Sequence, residues 1–268
     1  MMKKLSIILL AMLLGGTTAQ AQSIYLLKNY GTGHLDEVTS KNKPNGFFYR
    51  LRRDTQRTDL PRTEGTENLE LFISEPTDMG WMALYRLPLA ADDYDFKVVL
   101  YDHNDQPTVT LDLCQLTGNN YCEVQDVRWD SDNHYLLFNM ACPSYSSMID
   151  GKGSKLYCYD VEGQRMVWET DYLVSNDIFI LSKKYVFCSY GFTNERKYLF
   201  MLDKFTGKVY SKLPMVKSVQ YMELQQRDGR DVLFVVDYDD KLYSFAVSNR
   251  SASKKKPSTT TKKPVKKR

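Results

Sequence analysis

The chain has 268 residues, of which 43% are hydrophobic and 26% charged; this is enough apolar material for one all-β domain or two small ones, and it excludes disorder over the whole length. Nineteen Tyr and 12 Phe bring the aromatic share to 13%, which suits half-buried strands better than a helical bundle. The formal charge of +3 is unevenly divided: without Lys3, Lys4 and the eight Lys or Arg of residues 251–268, residues 22–250 carry −7, so the part expected to fold is acidic.

The N-terminus reads as an export signal over residues 1–21. Lys3 and Lys4 form a basic start, Leu5 to Leu14 is an apolar run, and Ala19-Gln20-Ala21 places small residues where a signal peptidase cuts, so cleavage is expected after Ala21. The apolar run is too short for a bilayer span, which needs roughly 20 residues. No Cys follows the small-residue site, and no later segment is apolar enough to span. The expected product has no transmembrane segment and lies outside the cytoplasm, periplasmic or secreted to the cell surface.

Residues 22–66 offer two short strands, Ile24 to Leu27 and Phe47 to Leu51, with polar, turn-rich stretches at Gly31 to Asn45 and Arg53 to Asn68. They leave room for a partial blade. Residues 67–250 then show internal repetition. Val99-Leu100-Tyr101-Asp102, Leu156 to Asp160, Leu199 to Asp203 and Leu242 to Ala246 are apolar runs leading to an Asp or an equivalent turn position. Positions 160, 203 and 246 are 43 residues apart, and the wider 102 to 160 interval fits one period plus an insertion around Pro143 to Ser154. A period of about 40–45 residues suits a four-stranded blade.

Each period is expected to hold two hairpins. Val127 to Trp129 with Tyr135 to Met140, Ile178 to Leu181 with Tyr185 to Cys188, and Val219 to Leu224 with Val232 to Val236 precede the marked strands. A turn bearing Gly163 or Gly207 and a second short strand follow Asp160 and Asp203. A weaker first copy runs Leu69 to Ile73, Trp81 to Leu87, Phe96 to Tyr101 and Val109 to Leu113. No later window has a helical period. The fold class expected is all-β: a propeller-like array of four-stranded antiparallel blades, four clear repeats with room for a fifth from the N-terminal segment.

Asp-x-x-Thr-Gly before a short strand, with a Trp eight residues after the Asp in some copies, resembles the repeat of the quinoprotein-like β-propellers. Asp203, Thr206 and Gly207 keep the turn but have Ser211 in the Trp position, whereas Asp160 has Trp168 there without the Thr-Gly step. The resemblance covers about residues 67–249 and implies architecture rather than chemistry: the Asp and Gly set a hairpin, and Trp168 fills space between blades. Members that oxidise substrates are much longer and several use an adjacent cysteine pair, which this chain lacks. No quinone or other cofactor is expected, and the chain reads as an exported, non-enzymatic member.

Chemical motifs are sparse. His34, His103 and His134 have no metal-ligand spacing with another His or Cys. Asp130, Asp132 and His134 alternate in a turn that lacks the Gly and distal Glu of a calcium loop. There is no nucleophile elbow, P-loop or dinucleotide fingerprint. No catalytic, cofactor-binding or metal residue is assigned. Of five cysteines at least one is unpaired within the chain; Cys114 and Cys122 flank a turn and suit a local disulfide, Cys158 and Cys188 suit buried apolar roles, and Cys142 is open to either.

The expected role is a binding or assembly module of the cell envelope, contacting a protein or envelope component through loops on one face. The insertion from Cys142 to Lys155, with Tyr145 and Lys152, is the candidate contact loop; the structural repeat positions are Asp102, Asp160, Asp203, Gly207 and Trp168. Residues 251–268 form a basic, disordered tail suited to anionic glycan or lipopolysaccharide, without a nucleic-acid recognition motif. The alternative is an extracellular hydrolase or lyase acting on carbohydrate or peptide through acidic loop residues. A catalytic pocket would gather carboxylates at one end of the array, whereas a binding module would show an aromatic or apolar patch.

Overall fold

The computed structural model describes residues 23–32, 57–87, 94–142, 145–192 and 194–248. The stretches expected to be an export signal, a strand at Phe47 to Leu51 and a disordered basic tail lie outside these residues. The described chain forms four four-stranded antiparallel sheets in a propeller-like array. The first holds β2 (Glu70–Thr77), β3 (Gly80–Arg86), β4 (Phe96–Tyr101) and β5 (Pro107–Asp112). The second holds β6 (Glu123–Asp130), β7 (Tyr135–Ala141), β8 (Lys155–Asp160) and β9 (Arg165–Glu169). β10 (Asn176–Leu181), β11 (Tyr185–Tyr190), β12 (Lys197–Asp203) and β13 (Val209–Met215) make the third.

The fourth sheet departs from the expected order. Its own repeat supplies β14 (Val219–Arg227), β15 (Arg230–Asp237) and β16 (Lys241–Ser248), and its outermost strand is β1 (Ser23–Thr32), which pairs antiparallel with β16 from Ser23↔Ser248 to Thr32↔Lys241. The stretch expected to open a fifth blade instead completes the fourth. The unpaired edge that β16 would otherwise present is the physical reason.

Strict alternation places the core between sheets. On β7, Leu136, Phe138 and Met140 face the first sheet while Leu137 faces the third. On β11, Val186 and Cys188 meet the second sheet, whereas Tyr185 and Phe187 meet the fourth. The central strands are thus apolar on both faces, which explains their nearly continuous hydrophobic runs. Separate clusters sit on the two end faces, Ala83, Tyr85, Val99 and Tyr101 on the first sheet and Val232, Phe234, Val236 and Leu242 on the fourth. No core cluster among the described residues joins these two sheets, so the described array is not closed.

Residues 57–69 cover the first sheet's end face. Leu60 packs into its cluster, the Tyr101 hydroxyl donates to the Pro61 carbonyl at 2.6 Å, and the Arg62 guanidinium lies 4.8 Å from the Tyr85 ring centre. Among the described residues one short α-helix interrupts the strands, α1 (Leu113–Thr117), where the Asp112 carboxylate caps the Gln115 N–H and Gly118 ends the helix at φ 65°.

The repeat positions serve turns and packing. Asp102 accepts from the Asn104 and Gln106 N–H groups, Asp160 from that of Gly163, and Asp203 from those of Phe205 and Thr206. In each case a carboxylate closes the turn after a third strand. Trp168 on β9 lies against Gly207 of the third sheet and donates its indole N–H to the Lys204 carbonyl at 2.9 Å. The Lys204 ammonium is buried and pairs with Asp130 at 2.8 Å, tying the second and third sheets together. Cys158 and Cys188 are buried, and burial pushes both thiols up to about 12.

The cysteine pairing corrects the sequence expectation. The disulfide joins Cys122 and Cys142, not Cys114 and Cys122. β6 and β7 pair Glu123 with Ala141, so residues 122 and 142 stand opposite each other one step beyond the ladder, with Cα atoms 4.1 Å apart. Cys114 is carried on α1 with its thiol directed to the Tyr94 carbonyl.

Candidate binding face

The up-and-down course of the strands sends the connections to opposite ends of the array. The tight turns 131–134, 161–164, 182–184, 204–208 and 228–229 occupy one end, here the turn face. The connections 113–122, 142–154, 170–175, 191–196, 216–218 and 238–240 occupy the other, the loop face. Among the described residues, the exposed large apolar side chains segregate: Tyr121, Tyr145, Met148, Tyr172, Val216 and Tyr238 are on the loop face, against Phe205 on the turn face. Leu26, Leu27 and Val209 lie on outer strands.

Residues 145–154 form a built loop. The disulfide fixes its root, Ser146–Met148 forms a 3-10 turn, and the Gly151 N–H returns to the Ser146 carbonyl at 2.7 Å. A side chain on Gly153 would strike Ile149 and approach the Cys142 sulfur, so the Gly-Lys-Gly run lets the loop fold back on its own root. The Ser154 carbonyl then accepts from the Val174 and Ser175 N–H groups, binding the loop to the next connection. Gly153 and Ser154 are buried while Met148 is 73% exposed, so the loop presents a defined apolar tip.

The proposed contact residues separate in space. Tyr145 is exposed and meets the Phe192 ring edge-on at 6.3 Å. Lys152 is exposed at the loop end. Cys142 is buried in the disulfide. Lys155 begins β8, pairs with Glu169 at 2.7 Å and lies 4.7 Å from the Tyr172 ring centre, so it braces the sheet edge.

Beside Tyr145 opens a cleft of about 570 Å³ lined by Ser146, Leu173, Tyr190, Glu195, Arg196, Tyr198 and Lys212, among others. Burial pushes the Glu195 carboxyl up, but the Tyr190 hydroxyl and the Ser146 N–H, the latter at 2.5 Å, outweigh it and hold the group below the usual carboxylate range. The same burial, with Glu195 alongside, raises the Tyr190 phenol. Glu195 therefore stays ionised, with both oxygens engaged in joining the 145–149 turn to the third sheet. Arg196 is exposed, and Lys212 rests 4.0 Å from the Tyr198 ring centre. Among the described residues neither cation has an ion-pair partner.

Sequence reasoning reached Tyr145 through the insertion but missed Tyr190, Glu195, Arg196, Tyr198 and Lys212. The signal available was the polar run Asn194-Glu195-Arg196-Lys197 between two apolar strands. Lys212 had none, because only the antiparallel course of β12 and β13 returns it to the cleft, opposite Phe200.

On the turn face, Asp130 and His134 are engaged in different directions. Asp130 holds Lys204, while His134 pairs with Glu162 at 2.6 Å, approaches Asp78 at 3.8 Å and stacks on Trp129. The Trp129 indole N–H donates to Asp78 at 2.6 Å, so this cluster fastens the first sheet to the second. Among the described residues there is no group of three or more His, Cys, Asp or Glu arranged to hold a metal ion, and no helix is long and apolar enough to cross a membrane.

No family model and no curated protein sequence matches the chain. Among solved structures it is similar to the β-propeller domain of the trilobed protease from Pyrococcus furiosus, described as having an open velcro topology, at 11% identity and a TM-score of 0.41. It is also similar to Sqt1 of Saccharomyces cerevisiae, at 9% and 0.46, and to TolB of Acinetobacter baumannii, at 14% and 0.36. These matches cover 63%, 66% and 66% of this chain and 49%, 45% and 43% of the respective structures. The chain spans less than half the length of each. The propeller-like assignment rests on the four sheets and their packing, and no activity passes from these proteins to this one.

Proposed function

We propose that the chain is an exported, non-enzymatic binding or assembly module of the cell envelope that docks a protein partner on its loop face. The observation that carries this reading is the segregation of exposed tyrosines, Met148 and Val216 to one end of the array, the end that also holds a cleft whose one carboxylate is already engaged. Tyr and Met are enriched where proteins meet, whereas acid–base hydrolysis calls for carboxylates directed into open space. Export is supported by Lys3, Lys4, the Leu5 to Leu14 run and Ala19-Gln20-Ala21. The basic residues 251–268 add sequence-independent attraction to anionic glycan or lipopolysaccharide.

Capture from native envelopes tests the reading, with the mature protein, its 251–268 deletion, and a Tyr145→Ser/Met148→Ser variant as baits. A partner retained by the first two and lost by the third is expected. Capture indifferent to the loop face but abolished by the deletion would make the tail, and not the array, the binding element.

A further inference from the structure

We infer that the loop-face cleft takes an extended acidic peptide segment of the partner protein. The inference rests on the docking-face reading and names what that face recognises. A volume of about 570 Å³ lies within the range of about 300–1,000 Å³ usual for ligand clefts. Its charge is set by three groups, and they are not equivalent. Glu195 keeps its charge but has both oxygens engaged, by the Tyr190 hydroxyl and the Ser146 N–H, while Arg196 and Lys212 have no ion-pair partner among the described residues. The cleft thus presents two cations to whatever enters, within a body whose residues 22–250 carry −7. A local cationic site on an acidic domain selects for an anion by position.

The contact of Lys212 with Tyr198 favours an anion over a neutral sugar. A neutral sugar stacks on an open ring face, and one face of Tyr198 already carries the Lys212 ammonium at 4.0 Å. A carboxylate can draw Lys212 away from the ring or bind it in place, and Arg196 offers a second, bidentate donor. The apolar parts of the lining at Tyr145 and Leu173 fit side chains that alternate with the acids along an extended segment. The chain's own basic tail has the wrong sign for this cleft.

Fluorescence anisotropy on the mature protein tests this, with a fluorescein-labelled peptide alternating glutamate and leucine, its lysine–leucine counterpart, and unlabelled oligogalacturonate as competitor. The acidic peptide is expected to bind, to weaken as salt rises, and to lose about tenfold or more in affinity in the Arg196→Ser/Lys212→Ser variant. A Lys183→Ser/Lys184→Ser variant on the turn face should leave it unchanged. Equal binding of the two peptides, indifference to the cleft substitutions, or displacement by oligogalacturonate at lower concentration than by unlabelled acidic peptide overturns the inference. Partner capture that depends on Tyr145 and Met148 without any acidic-peptide binding overturns this inference alone and leaves the docking face standing. Loss of neither on substitution overturns both.

Discussion

Gly207 shows how much a repeat residue carries through packing alone. Its φ of +68° is left-handed, and a Cβ there would stand 2.7 Å from the Trp168 ring. Gly229 has nearly the same backbone, φ +71°, but open space around it. Gly229→Ala should therefore cost only the conformational penalty, about 1–2 kcal/mol, while Gly207→Ala adds an overpacking cost of about 1–3 kcal/mol. Denaturant unfolding of both variants separates the two terms; equal losses would mean that Trp168 yields without cost. Asp160, Asp203, Gly207 and Trp168 were legible in the sequence because each acts within a repeat or on the adjoining one. Glu195 and Lys212 were not, since their meeting at the cleft depends on chain reversal between β12 and β13 and on a turn from another sheet.

At the scale of elements, the 142–154 loop owes its form to its root. Closing a loop with a sequence separation of 20, the Cys122–Cys142 bridge should contribute about 3 kcal/mol by restricting the unfolded chain. Cys142→Ser is expected to lower stability by about that amount and to weaken loop-face binding, whereas Cys114→Ser should leave both unchanged; mass spectrometry under non-reducing conditions identifies the pair. The sequence placed a cysteine at each of these positions but not their partnership, which follows from the β6–β7 register.

The turn-face cluster between the first and second sheets answers to pH. The Glu162 carboxylate, with Asp78 and Asp130 nearby, raises the His134 imidazole above its usual value of about 6.5. Because the folded value is the higher one, the stabilisation is fully present below about pH 6.5 and disappears as pH rises through the raised folded value. The group is largely solvated, so the effect is that of a surface pair, under about 1 kcal/mol. Thermal unfolding across pH 5 to 9 should show this loss in the native protein, with a flatter profile in His134→Gln; identical profiles would remove His134 from the fastening of the two sheets.

For the whole molecule, three sheets were legible because each is built from one uninterrupted stretch, and alternation with a 43-residue spacing marks the strands. The fourth was only three-quarters legible: pairing of Ser23–Thr32 with Lys241–Ser248 joins the two ends of the described chain, and no local pattern announces it. That pairing makes the array's integrity depend on both ends, while the loop face gathers side chains from connections spread between residues 121 and 238. The face exists only when the sheets are assembled side by side. Site-specific photo-crosslinking in native envelopes tests this most directly, with a photoreactive residue placed in turn at positions 145, 148 and 238 of the loop face and at 205 and 209 as controls. Adducts to one partner from the three loop-face positions, and none from the controls, are the predicted result; adducts confined to positions 205 and 209 would contradict the account.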